Sequence, residues 1–178
     1  MTAVQKLRAS TAPDHDIVDA AFGGFDLADR RDYTAFLIAH ARALPAVEAA
    51  LAGIAGLPAT PARTALLADD LAALGVPMPP PLPFAIGPAA AWGALYVAEG
   101  SRLGGIMLAG RVGQGLPAAY LSARHGTGAW RVLLAAIDAA VLREDAIAAA
   151  VAGARATFAL YAAAAGVAPD DGTTRPGR

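Results

Sequence analysis

Residues 93–105 read GALYVAEGSRLGG, a helical pattern interrupted by glycines. Each glycine destabilises the interior of a helix by about 1 kcal/mol relative to alanine, which this chain uses freely elsewhere. At helical spacing the glycines form one stripe, with a hydroxyl and a further glycine beside it: Gly93, Gly100, Gly104, Ser101 and Gly105. Bare backbone of this kind allows a flat molecule or a neighbouring helix to approach closely. By itself, this stretch favours close contact with a neighbouring helix over contact with a flat ligand.

The composition favours one soluble domain. The chain has 178 residues, 56% of them hydrophobic, which suffices for a single buried core, and we expect this domain to span residues 1–168 with a disordered tail at 169–178. The net charge of −1 gives no strong field, so neither nucleic acid nor a membrane is expected as a partner. The absence of cysteine excludes disulfides and thiolate metal ligands. The first residues lack the apolar core of a secretory signal, and we expect a cytoplasmic protein.

Helical periodicity runs through nearly the whole chain, and no stretch shows a convincing strand alternation. The chain is therefore predicted to be all-α, an irregular helical bundle. Thr11, as an N-cap before Pro13, is predicted to begin the first full helix after a short helical turn at about residues 4–9. The predicted helices cover about residues 11–22, 30–54, 61–74, 89–112, 118–124, 128–142 and 144–166.

His15 and Asp19 are four residues apart, so on a helix the carboxylate can lie beside the imidazole. A histidine that binds a metal through one ring nitrogen usually donates its other N–H to such an acceptor, and the spacing suits an axial ligand of haem iron. The alternative is an exposed polar pair near the start of a helix. The other histidines, His40 and His125, are interpreted as structural or solvated.

Two segments together resemble the haem oxygenase family. The first segment is similar to the family's proximal helix in the residues Leu7, Arg8, Thr11, His15 and Asp19. The second, residues 96–105, reads YVAEGSRLGG and is similar to the family's distal helix. This second segment is closest in kind to the bacterial branch that includes the enzymes associated with bacteriophytochromes. The order and separation of the two motifs also fit the family, as does the helical pattern from about residue 4 to 166.

The resemblance implies that haem lies between a proximal helix, which carries the iron ligand His15 supported by Asp19, and a kinked distal helix. It implies oxidative opening of haem to biliverdin, with release of iron and carbon monoxide. The reaction uses molecular oxygen and electrons from a separate reductase or ferredoxin. The glycines Gly100, Gly104 and Gly105 would let backbone lie over the haem face. A bacteriophytochrome is then one expected recipient of the biliverdin.

Two arginines match basic residues of the family. Arg8 matches the residue of the proximal segment that meets one haem propionate, and Arg131 approximately matches a residue on a later helix that meets the haem edge. Arginine suits carboxylates because its planar fork bonds them in pairs. The alternative for each arginine is a solvated surface charge.

Ser101 departs from the family pattern. Many haem oxygenases have an aspartate immediately after the first distal glycine, Gly100, which organises the water that protonates the iron-bound oxygen. A serine holds water less strongly and carries no charge. The sequence therefore leaves open which groups protonate the iron-bound oxygen in this chain.

Three functions remain on the sequence alone. The first is an active haem oxygenase, in which Ser101, Gly100 and Gly104 take part in catalysis. The second is a non-catalytic helical protein that binds haem or a bilin for storage, transfer or sensing. The third is a helical interaction domain. The joint occurrence of the two motifs favours the first.

Overall fold

The computed structural model describes residues 1–167, and all regular structure in this range is helical. The helices are α1 (Ala3–Gly23), α2 (Arg30–Ala52), α3 (Thr64–Ala73), α4 (Pro88–Ala109), α5 (Ala119–Ser122), α6 (Ala129–Ala140) and α7 (Glu144–Ala164). This confirms the all-α prediction. The predicted tail at 169–178, and residue 168 at the end of the predicted domain, lie outside the described residues.

Helix α1 continues without interruption through Pro13, so the predicted start at Thr11 was wrong. The N-cap is Thr2, whose hydroxyl accepts from the N–H of Gln5 (3.2 Å) while the Gln5 side chain accepts from the N–H of Thr2 (2.9 Å). Thr11 lies buried inside the helix and donates to the carbonyl of Leu7 (2.9 Å). Proline removes one N–H from the helix. Packing of α1 along α7 outweighs this local stop signal.

Two apolar clusters fill the interior, and α7 contributes to both. One joins α2, α3, α5 and α7 and includes Phe36, Leu67 and Tyr120. The other joins α1, α4, α6 and α7 and includes Leu7 and Leu95. By length and composition alone, α2 and α7 could each cross a membrane, and both supply side chains to these clusters.

Helix α4 crosses α7 at backbone distance, and glycine makes this crossing possible. A Cβ built on Gly93 would lie 1.7 Å from the carbonyl oxygen of Ala150. One built on Gly153 would lie 1.9 Å from the carbonyl oxygen of Ala90. Because real Cβ atoms cannot come so close, the neighbouring-helix interpretation of the glycine stripe is confirmed at Gly93.

A carboxylate from α2 fixes where α3 begins. Glu48 accepts hydrogen bonds from the backbone N–H groups of Arg63 (2.7 Å) and Thr64 (3.1 Å), and from the Thr64 hydroxyl (2.6 Å). These N–H groups belong to the helix end that has no partner within its own helix. The helix accordingly begins at Thr64 and not at the predicted Pro61.

Candidate functional site

His15 lies on the exposed side of α1 with a carboxylate beside it. Its Nδ1 is 3.1 Å from Oδ2 of Asp19, one turn later, and both side chains are more than half exposed. The imidazole meets the ring of Phe158 from α7 edge to face, with 5.7 Å between the ring centroids. Because Nδ1 faces Asp19, Nε2 is the nitrogen that an incoming metal can reach. The expected pairing of the two side chains is present, and iron binding by His15 stays a prediction.

Helix α4 carries an open strip, which we define as Gly100, Leu103, Gly104 and Met107. A Cβ on Gly104 would meet no heavy atom of the described residues within 4 Å, and one on Gly100 would touch Cη2 of Trp130 at 3.5 Å. The side chains that flank these glycines are exposed although they are apolar, Leu103 by 44% and Met107 by 79%. Exposed apolar groups beside bare backbone are typical of a binding surface.

The other two glycines of the predicted stripe lie in packed surroundings. Gly93 lies in the crossing with α7. Gly105 is buried, and a Cβ there would lie 3.1 Å from the carbonyl oxygen of Leu121 in α5. Helix packing therefore accounts for both, and the open strip retains Gly100 and Gly104 from the predicted set.

Helices α1 and α4 border one apolar cluster beside the open strip. Leu7 of α1 belongs to this cluster, and Tyr96 of α4 and Trp130 of α6 pack against it. The rings of Tyr96 and Trp130 lie 5.9 Å apart. Desolvation raises the pKa of Tyr96, and the positive charge of Arg8 opposes this rise, so Arg8 on α1 lies within electrostatic reach of α4. The structure thus brings Leu7 and Arg8 of α1 to the same region as Tyr96 of α4.

The two predicted propionate ligands, Arg8 and Arg131, are both exposed. Neither forms an ion pair with a carboxylate within residues 1–167. Arg131 directly follows Trp130, the residue that touches the open strip at Gly100. Exposed guanidinium groups of this kind are available to carboxylates of a ligand, and their contacts with haem stay predictions.

Ser101 is held by a residue that the sequence analysis missed. Its hydroxyl donates to the carbonyl oxygen of Ala98 (2.7 Å) and accepts from Nη2 of Arg63 (2.8 Å). Arg63 comes from the segment before α3 and is only 3% exposed. The hydroxyl proton of Ser101 is therefore engaged, and its remaining lone pair can accept a hydrogen bond from water.

A further polar cluster consists of Glu99, Arg102 and His125, next to a cavity of about 260 Å³. Oε2 of Glu99 accepts from Nε of Arg102 (2.8 Å) and lies 3.1 Å from Nε2 of His125. The ring of His125 stacks on Trp130, with 5.5 Å between centroids. His125 is thus structural and not solvated. Glu99 and His125 are 26 positions apart, so local spacing gave no sign of their pairing.

His40 is enclosed by aromatic rings. Its ring centroid lies 4.6 Å from that of Phe22 and 4.5 Å from that of Phe36, and its Nδ1 is 2.8 Å from the Tyr120 hydroxyl. Desolvation, with the charge of Arg63 as the smaller cause, lowers the pKa of His40 to about 3. The ring is neutral near pH 7, in agreement with a structural role.

Comparison with known proteins finds a relative by its structure. No protein-family model matches the chain, and no curated protein matches its sequence. The fold is similar to a crystal structure of the NO- and CO-bound heme oxygenase from Neisseria meningitidis, with a TM-score of 0.81 and 28% sequence identity. The match covers 98% of this chain and 100% of the other. This likeness extends over both chains from end to end and agrees with the motifs in α1 and α4, so the chain has the haem oxygenase fold.

Proposed function

We propose that this protein is a haem oxygenase, which opens haem to biliverdin with release of iron and carbon monoxide. The observation that carries the proposal is His15, exposed on α1 with Asp19 at its Nδ1, in a chain whose whole fold is that of a heme oxygenase. A single imidazole is the donor that haem needs from the proximal side, since the porphyrin supplies the other nitrogens. The residues present therefore fit the group.

Haem, when bound, supplies the iron chemistry that activates oxygen. In this proposal Nε2 of His15 holds the iron, and Asp19 keeps the ring oriented through Nδ1. On the other side, Gly100 and Gly104 offer backbone without side chains, so a flat macrocycle can lie against α4. Arg8 and Arg131 are the proposed partners of the two propionates, because each is exposed and a guanidinium bonds a carboxylate in pairs.

Ser101 is proposed to organise water and not to act as an acid. Its proton is committed to the carbonyl of Ala98, and one lone pair accepts from Arg63. A water molecule can donate to the lone pair that remains, which orients that water beside the open strip. Proton delivery then depends on the bound water, since a serine hydroxyl carries no charge at any relevant pH.

The remaining participants follow from the family resemblance. We propose molecular oxygen as co-substrate, with electrons from a separate reductase or ferredoxin. A bacteriophytochrome is proposed as a recipient of the biliverdin, in line with the resemblance of residues 96–105 to that bacterial branch. We propose that the protein works in the cytoplasm.

A second candidate is a non-catalytic protein that binds haem or a bilin. The observation that favours it is Ser101, which stands where many family members have an aspartate and whose proton is already engaged. This candidate keeps the same binding site and the same iron ligand, and it differs by the absence of turnover.

The experiment that separates these candidates is a single turnover of the ferric haem complex with ascorbate in aerated buffer, followed by absorbance and by detection of carbon monoxide. An oxygenase loses its Soret band, turns green and releases carbon monoxide and iron. Intact haem after excess reductant would favour the binding protein. A His15→Ala variant with unchanged haem affinity and an unchanged Soret band would exclude His15 as the ligand.

A further inference from the structure

Arg63 is a buried cation that has no carboxylate partner within the part of the chain that the structure describes. Its residue is 3% exposed, and none of the ion pairs there includes it. Its Nε is buried without a hydrogen-bond partner in the same range. Burying an unpaired charge is costly. If Arg63 only stabilised the fold, an apolar side chain of similar size would serve as well. The buried charge therefore indicates a role beyond stability.

The contacts of Arg63 point to Ser101. Its Nη2 donates both to Oγ of Ser101 (2.8 Å) and to the carbonyl oxygen of Ala98 (2.7 Å), the same carbonyl that accepts the serine proton. The guanidinium carbon lies 5.3 Å from the centre of the Tyr120 ring, which limits its movement. The backbone of Arg63 is fixed as well, because its N–H is bound by Glu48 (2.7 Å). One nitrogen of Arg63 thus binds both the hydroxyl of Ser101 and the carbonyl to which that hydroxyl donates.

Charge distinguishes this arrangement from an aspartate at the same position. A carboxylate at position 101 would neutralise the guanidinium next to it. With serine there, the guanidinium of Arg63 has no ion-pair partner within residues 1–167. Its positive charge lies beside α4 in low-dielectric surroundings, where it acts over a longer range than in water. A fixed positive charge stabilises negative charge that develops nearby and needs no reorganisation to do so.

We propose that Arg63 is the positioning residue of Ser101 and that it supplies the fixed positive charge on the α4 side of the bound haem. It locks the hydroxyl so that one lone pair faces bound water, and its charge favours anionic ligands of the iron over neutral ones. The inference rests on the proposed function, since it assumes that haem binds against the open strip.

The first test compares two ligands of ferric haem that differ in charge, azide as the anion and imidazole as the neutral ligand. Dissociation constants are measured by Soret titration for the wild type, Arg63→Met and Arg63→Lys at one pH slightly above neutrality, where azide is an anion and free imidazole is mostly neutral. We expect Arg63→Met to weaken azide binding about tenfold and imidazole binding less than about twofold. Arg63→Lys keeps the charge and should restore most of the preference for azide. Arg143→Met is the control, since it removes an equal charge that pairs with Asp145 at the surface.

A second test needs no haem and covers the case in which Arg63→Met does not fold. In the haem-free protein, Ser101→Asp places a carboxylate beside Arg63, so the melting temperature should stay equal to that of the wild type or rise. Combining Ser101→Asp with Arg63→Lys should remove part of this effect, because the lysine side chain is shorter and its ammonium does not reach the position from which Nη2 bonds both Ala98 and residue 101. Ala98→Asp is the comparison, because it places a carboxylate at a buried position of the same helix. A drop in melting temperature for Ser101→Asp as large as that for Ala98→Asp would contradict the contact between Arg63 and residue 101.

The two tests fail in different ways. Equal changes in azide and imidazole affinity on loss of Arg63, or no change in either, would overturn the inference and leave the proposed function intact. Failure of the wild type to bind haem through His15 would end the proposed function and, with it, the role of Arg63 beside the haem. The stability effect of Ser101→Asp in the haem-free protein would not be altered by that failure.

Discussion

Gly93 on α4 and Gly153 on α7 each face the backbone of the other helix. A Cβ on either residue would lie within 2 Å of a carbonyl oxygen, that of Ala150 or that of Ala90. At such a crossing the only side chain that fits is a hydrogen atom. The glycines of α4 therefore have two roles. Gly93 allows the close contact with α7, whereas Gly104 leaves the backbone of the helix accessible.

The first prediction concerns this crossing. Gly93→Ala should lower the free energy of unfolding by about 3 kcal/mol or more, because the two helices must separate to admit the methyl group. Urea denaturation followed by circular dichroism measures the change. Gly104→Ala is the matched control in the same helix, where the methyl group meets open space and should stabilise the helix by up to about 1 kcal/mol. Equal stability of the two variants would contradict the close crossing.

The second prediction concerns the open strip. Gly104→Leu should fold as well as Gly104→Ala, since no described atom lies within 4 Å of the new Cβ. It should nevertheless weaken haem binding at least about tenfold, because a branched side chain would stand between α4 and a flat ligand. Haem titration by Soret absorbance measures the affinity, and thermal unfolding of the haem-free variants is the control. Unimpaired haem binding by Gly104→Leu would place the ligand elsewhere.

The third prediction concerns the carboxylate beside His15. Asp19→Asn keeps the size of the side chain and removes the negative charge next to Nδ1, so haem affinity should fall about tenfold. Asp16→Asn changes an exposed carboxylate on the same helix and should leave the affinity unchanged. A ferric haem titration of both variants decides between them. The pair would be an ordinary surface contact if the two variants bound haem alike.

The fourth prediction concerns His40. Its folded pKa of about 3 lies below the ordinary value of about 6.5, so between these values the unfolded chain binds one proton more than the folded chain. Stability should therefore fall as the pH drops from 6.5 towards 3, and His40 should contribute about 1.4 kcal/mol per pH unit to this slope.

His40→Gln tests this slope, because glutamine does not titrate and still offers an acceptor to the Tyr120 hydroxyl. The free energy of unfolding, measured by urea denaturation between pH 4 and pH 7.5, should depend less on pH in the variant by the amount given. Parallel pH profiles for the variant and the wild type would show that His40 titrates alike in both states.

Local patterns predicted most of the helices but not every boundary. Asp29, the N-cap of α2, accepts from the N–H groups of Arg31 and Asp32, and that helix begins where its pattern indicated. In α1 the cap signal of Thr11 before Pro13 was misleading, because a capping box at Thr2 begins the helix earlier and packing on α7 carries it through the proline. Tertiary contact decides such cases, and a single sequence does not display it.

The candidate site was predictable where its residues are neighbours in sequence. The pairing of His15 with Asp19 follows from helical spacing, and the open backbone of α4 follows from Gly100 and Gly104. Arg63 could not be found in this way, since it precedes a short helix and reaches Ser101 across 38 positions of chain. Only the packing of the segment before α3 against α4 brings these two residues together.

The contacts at Gly93 and Gly105 fix α4 at two points about 18 Å apart along its axis, given a rise of 1.5 Å per residue. Gly100 lies near the middle of this stretch, and Gly104 directly precedes the second fixed point. We therefore expect α1 and α6, and not α4, to move when a porphyrin enters the site. Haem would then enter the site from the side of the molecule that carries His15.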